Sequence, residues 1–343
     1  VKKRQYAAER YEDLYSVDGE RELRDSISRF VTTYCGKTNY AGNMLEFDGY
    51  ALWNTHAQVI EANKARREQS AKVIQNRNHQ KAERKIIQLI HENFKTGDLE
   101  MMASFAKEPE NGKEARRALD WFVRELREIY KEQGVELRYL YVDESEGKDG
   151  EPLRFHYHIF MNLDGVINRD MVEDLWRSRF GIANGTRLFE TEFGLTGFSK
   201  YVLKASLAVK NRRKWNCSRN MRKPEERRST RLPNGKTLTK KRMQDLLENR
   251  LDPRKFFEDA FQGYRFIDIR SKSSEFVGGV YLYVRMRKIH ESDSRTPSAC
   301  APMRTHAHQY QSSSNARQRS SGAGGMPDSD PDNRTKRNGV KNE

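Results

Sequence analysis

From residue 99 the chain alternates between two hydrophobic periods. Residues 99–105 (LEMMASF) read as a strand, 113–133 carries Ala118, Leu119, Phe122, Leu126 and Ile129 on one helical stripe, and 136–142 reads as a second strand. In 154–162, RFHYHIFMN, an apolar run places Phe155, Tyr157 and Ile159 on one face and His156 and His158 on the other, because strand side chains alternate with period two. A helix over 169–180, carrying Met171, Val172, Leu175 and Trp176, follows, and another is predicted over 195–207.

The flanks have a different texture. Residues 1–93 are polar and read as mostly helical, especially 51–94, where Val59, Ile60, Val73, Ile74, Ile86, Ile87, Leu89 and Ile90 punctuate a charged background. Within it, 62–84 has few large apolar residues and reads as solvated or nucleic-acid-facing. Segments 264–270 and 277–287 alternate cleanly and predict a hairpin. Its second strand puts Val280, Leu282, Val284 and Met286 on one face and Tyr281, Tyr283, Arg285 and Arg287 on the other. That second face suits stacked bases and a held backbone, or is simply the solvent side of an amphipathic strand. From 291 the composition collapses to Ser, Arg, Asn, Gly, Asp and Pro, a disordered tail. The predicted organisation is a helical, basic N-terminal extension (1–93), an α+β core (94–209), a basic segment with a hairpin completing or flanking it (210–290), and the tail (291–343). The β-α-β-β-α order of the core predicts a central antiparallel sheet of ferredoxin-like or RNA-recognition-like type with helices on one face.

Charge sharpens this picture. A net +15 points to a polyanionic partner, and fourteen Lys/Arg against two Glu in 210–242 mark where phosphate contacts would concentrate. No apolar run nears the ~18 residues of a spanning helix and the first residues lack an apolar leader, so a cytosolic chain without membrane association is expected. Cys35, Cys217 and Cys300 stand far apart, which argues against a disulfide framework.

The candidate chemistry begins with His156 and His158, neutral imidazoles on one open face. The preceding strand ends in Asp143-Glu144, and register decides which carboxylate joins them. A three-residue connection at 149–151 sets Glu144 opposite His156, and a two-residue turn sets Asp143 there. Mixed oxygen and imidazole ligands suit Mg²⁺ or Mn²⁺ better than a closed zinc site. In 195–207, LTGFSKYVLKASL, Phe198, Tyr201 and Lys204 fall near one stripe, so a phenol stands beside a lysine. His56, His79, His91 and His290 read as surface or structural, and His306 and His308 as chance. Gly36-Lys37-Thr38 and Gly235-Lys236-Thr237 lack the first glycine of a phosphate-binding loop.

Taken in order, FKTGDLEMMASF, YLYVDESEG, RFHYHIFMN, VEDLWRSRFG, LTGFSKYVLK and KWNCSRNMRKP, over about 93–223, resemble the HUH endonucleases. The likeness is to rolling-circle replication initiators related to the filamentous-phage gene II protein and to microvirus replication proteins. It implies His156, His158 and Glu144 as metal ligands, Tyr201 as nucleophile and Lys204 as its companion. Met102 and Ser104 stand where this branch usually shows threonines, and Gly197 where two-tyrosine relatives carry a second tyrosine, which implies a single-tyrosine enzyme. The implied reaction is nicking of single-stranded origin DNA through a 5′-phosphotyrosine link, leaving a 3′-OH primer in a bacterial cell whose helicase and DNA polymerase are partners. Relaxases and transposases use the same chemistry, and a non-catalytic basic DNA-binding protein on such a scaffold is the competing class. The basic segment and hairpin offer Arg212, Arg213, Lys214, Arg219, Arg222, Lys223, Tyr281, Tyr283 and Arg285 as DNA contacts.

Overall fold

Part of the region expected to be helical is a hairpin. β1 (Val31–Ala41) and β2 (Met44–Trp53) pair antiparallel down to Ala41 opposite Met44. The computed structural model describes residues 31–53, 71–146, 152–200, 215–273 and 280–290. Gly42-Asn43 makes the turn, with Gly42 at φ 55° and a Cβ there falling 2.1 Å from the His91 carbonyl oxygen, so only glycine fits. The helical expectation holds for α1 (Ala71–Asn93). It fails for 31–53 because the apolar positions there serve a sheet, and Lys37, Glu46 and Asp48 between them are paired by distant side chains.

The middle of the chain follows its periodicity closely. β3 (Leu99–Ser104) leads to α2 (Gly112–Glu132), which is capped by the Asn111 side chain. Next come β4 (Tyr139–Glu146), β5 (Pro152–Met161), α3 (Arg169–Arg177) and β6 (Ala183–Arg187). β7 (Asn216–Cys217) joins the edge, giving the antiparallel order β6-β3-β5-β4-β7. α2 and α3 cover one face, where Leu119, Phe122, Leu126 and Trp176 pack on Met101, Tyr157 and Ile159. Helices are not confined to that face. α1 crosses the other one, with Ile86, Ile90 and Phe94 against Leu140, Val142 and Phe160, which would otherwise be bare apolar surface.

The remaining strands complete a second antiparallel sheet. β8 (Glu225–Ser229) precedes α4 (Lys240–Leu247) and α5 (Pro253–Ala260), and the predicted hairpin is β9 (Tyr264–Ser273) and β10 (Val280–Lys288). The order is β8-β1-β2-β10-β9, so the hairpin flanks the middle sheet and does not extend it. Phe47, Val280, Leu282 and Val284 face α4 and α5, where Met243, Leu246 and Phe257 close the core. The opposite face meets α1. The architecture is therefore α+β in five layers: α2 and α3, the middle sheet, α1, the outer sheet, then α4 and α5. No helix among the described residues is long and apolar enough to cross a membrane.

Candidate metal centre

The register between β4 and β5 settles which carboxylate meets the histidines. Glu144 lies opposite His156 and Val142 opposite His158, while Asp143 faces Tyr157 on the other side of the sheet. Glu144, His156 and His158 each offer a ligand atom within 4.8 Å of the others, a cluster that can hold a metal ion. Glu144 and His158 are buried, and the face opens beside them because α1 covers only its far end.

Both imidazoles are held in the tautomer a metal needs. His156 Nδ1 lies 2.8 Å from the Arg154 carbonyl oxygen, which can only accept, so Nδ1 carries the hydrogen and Nε2 the lone pair. His158 Nδ1 lies 2.8 Å from Glu100 Oε1, the carboxylate–histidine arrangement that fixes ring orientation and raises ligand basicity. Glu144 Oε2 stands 3.3 Å from His156 Nε2. Protonated at Nε2 as well, the ring donates to Glu144, and that contact holds the His156 imidazole above its usual pKa despite burial, so a cation bound there would take the place of this second proton. Two imidazole nitrogens and a carboxylate oxygen form a coherent donor set for a divalent ion.

Glu100, the partner of His158 Nδ1, belongs to the candidate site although no sequence motif marks it. Its signal was parity: in LEMMAS it is the acidic residue on the histidine face, with Leu99, Met101 and Ala103 turned to the core. Met102 and Ser104 share its face and lie directly opposite His158 and His156.

Beside the cluster is a cleft of about 470 Å³ with Glu100, Met102 and His158 in its floor, together with Asn184 and Thr186 of β6. Its wall is the 189–198 segment, which contributes Phe189, Thr191, Gly194, Gly197 and Phe198. That segment ends in helical residues 196–200, so the helix expected over 195–207 begins at the rim of the site. Tyr201, Lys204, Arg212, Arg213 and Lys214 lie outside the described residues, as do 1–30, 54–70 and the tail from 291. Arg219, Arg222 and Lys223 are exposed, and the Asn93 side chain pins the Arg222 backbone through both its N–H and its carbonyl.

The aromatic-basic face of β10 is not a free DNA surface. Tyr281 is fully buried and donates to Asp48, and Arg84 stacks over Tyr283 at 4.6 Å. Arg285 grips Asp268 through Nε and Nη2 and lies 4.8 Å over Phe193. The alternation is as expected, but α1 and the cleft wall cover this face. Arg287 donates to Thr191 O at 3.0 Å and pairs with Glu190, which Asn43 also holds, so the outer sheet anchors the cleft wall. His91 is structural: its Nε2 accepts from the Leu195 backbone at 2.9 Å, and burial lowers its pKa to about 4. Comparison with family models, curated proteins and solved structures returns no match.

Proposed function

We propose that the chain is a metal-dependent, single-tyrosine DNA-nicking enzyme of the HUH kind, acting as a rolling-circle replication initiator. The observation that carries the reading is the Glu144–His156–His158 cluster, with both imidazoles set in the ligating tautomer on an open sheet face. The β-α-β-β-α-β order, in which β3 and β5 form the centre of the sheet, supports a ferredoxin-like nuclease core. The strongly basic chain supports a nucleic-acid substrate.

In this reading Glu144, His156 and His158 would hold Mg²⁺ or Mn²⁺, and Glu100 would keep His158 oriented. A divalent ion so held supplies charge stabilisation to the phosphate oxygens. Tyr201, next in sequence after the helical residues 196–200 at the cleft rim, attacks phosphorus through its phenolic oxygen. The new Oη–P bond replaces the P–O3′ bond, and the proton lost by the phenol balances the one gained by the departing 3′-oxygen. Lys204 offsets charge on the phenolate or phosphate. The free 3′-OH primes synthesis, and reversal of the same step religates.

The test is incubation of the purified chain with single-stranded DNA and Mn²⁺, followed by a denaturing gel. A covalent adduct that Tyr201→Phe and His156→Ala both abolish is the expected result. DNA that is bound but never linked would replace this reading with that of a non-catalytic DNA-binding protein.

A further inference from the structure

The cleft beside the metal cluster has the composition of a pocket for one unpaired base. Its floor is a row of side chains across three strands: Asn184 of β6 opposite Met102 of β3, and Met102 opposite His158 of β5. Two strand spacings put Asn184 about 10 Å from His158. Thr186 occupies the next row, opposite Glu100.

The wall supplies the apolar half. Phe189 is 56% exposed at the cleft, an unusual position for so large an apolar ring, and it meets Phe198 edge to face at 5.1 Å. Phe189 is thus accessible while Phe198 packs against it. An exposed ring beside an amide and a hydroxyl matches what an extruded base presents: a π-face to stack, and an edge of donors and acceptors to read.

β6 is held rigidly for that task from behind. Glu173 of α3 accepts the Gly185 N–H at 2.8 Å, and Arg177 donates to the Ala183 carbonyl at 2.7 Å. A Cβ at Gly185 would lie 2.9 Å from the Glu173 carboxylate, so the strand sits tightly on the helix. Asn184 and Thr186 therefore project from a braced strand, as a reading site requires.

We infer that the Phe189–Phe198 cleft receives a single unstacked base next to the reacting phosphate, with Phe189 as the stacking platform and Asn184 as the residue that selects the base. The inference rests on the proposed nicking activity for its substrate. Asn184, with one donor and one acceptor side by side, favours a base with the complementary pair, as adenine has. The apolar wall disfavours a bare phosphate in this position.

The test uses the full chain with a randomised pool of single-stranded deoxyoligonucleotides, with Phe189→Ala and Asn184→Ala beside the wild type. Affinity is read by fluorescence anisotropy in EDTA, and adducts formed with Mn²⁺ are sequenced. Thermal melting establishes that both variants, each at an exposed position, remain folded. Phe189→Ala is expected to weaken binding roughly 5- to 100-fold, and Asn184→Ala to flatten one position of the adduct sequence profile with little loss of affinity. Adducts with an unchanged profile and unchanged affinity would overturn the pocket while leaving the nicking activity intact. If no adduct forms with any protein, the nicking activity fails, and the anisotropy decides the pocket alone. A loss with Phe189→Ala then supports it, and equal binding overturns it.

Discussion

The two sheets that enclose α1 each bury carboxylates on the face turned towards that helix, yet to opposite effect. On the outer sheet a row of Asp268, Arg285, Glu46, Asn39 and Glu226 runs across all five strands, followed by Arg270, Tyr283, Asp48, Lys37 and Arg228. Arg84 of α1 donates to Glu46 at 2.7 Å and to Asp48 at 2.8 Å, closing the centre of that network. Burial pushes Glu46 up, but the Arg84 charge and hydrogen bonds bring it below the usual carboxylate range. On the middle sheet Glu144 clusters with two imidazoles, those of His156 and His158. A guanidinium never gives up its charge, so Glu46 and Asp48 are spent on structure. An imidazole can exchange its proton for a metal, so Glu144 stands in a cluster that could hold one. Burial alone does not distinguish the two sets of carboxylates; the kind of cationic partner does.

The largest test of this contrast is Arg84→Met. Leaving two buried carboxylates unpaired should lower stability by about 3–5 kcal/mol in urea titration, and adding Glu46→Gln and Asp48→Asn should restore part of it. His156→Ala, by the same measure, should cost far less, its effect appearing in metal binding instead.

A second test separates the histidines by pH. His91 has a folded pKa of about 4 against an ordinary 6.5, so the unfolded chain takes up a proton before the folded one does. Stability should hold above pH 6.5 and fall by about 3 kcal/mol as pH drops towards 4, beyond the general acid loss. His91→Gln, which still accepts from Leu195 without titrating, should flatten that slope.

Metal gives the next effect. Mn²⁺ at a hundred times its Kd should stabilise the wild type by about 2.7 kcal/mol in thermal denaturation, and Glu144→Ala should abolish the shift. The smallest change expected is Glu100→Gln, which should weaken metal affinity about 10- to 100-fold by calorimetry, with the protein still folded. An unchanged affinity would show that the Glu100–His158 contact is not tuning the site.

What was legible in the chain follows from how local each signal was. β3, α2, β4, β5 and α3 carry their own periodicity, and the His-x-His strand declared its two faces. The choice between Asp143 and Glu144 needed the register, which only the paired strands fix. The β1–β2 hairpin had a readable mark in Gly42-Asn43, a turn dipeptide between runs of strand-forming residues. It was masked because Lys37, Asn39, Glu46 and Asp48 look like solvent-facing residues. Lys37, Glu46 and Asp48 are paired by Glu226 and Arg84, remote in sequence and themselves in polar stretches. Tyr281, Tyr283 and Arg285 were misread for the same reason: alternation separates two faces but does not say what covers either.

The adjacency of β2 and β10 also sets an order of events in the folding of the chain. The middle sheet is drawn from contiguous sequence, whereas the centre of the outer sheet joins strands that lie on either side of that whole segment. During synthesis the β1–β2 hairpin must wait with one edge unpaired until β10 emerges, and closing so long a loop is slow. The charged inner row then does a second service. Glu46 and Asp48 make the waiting β2 edge a charged one, a poor template for a strand of a neighbouring chain until β10 arrives.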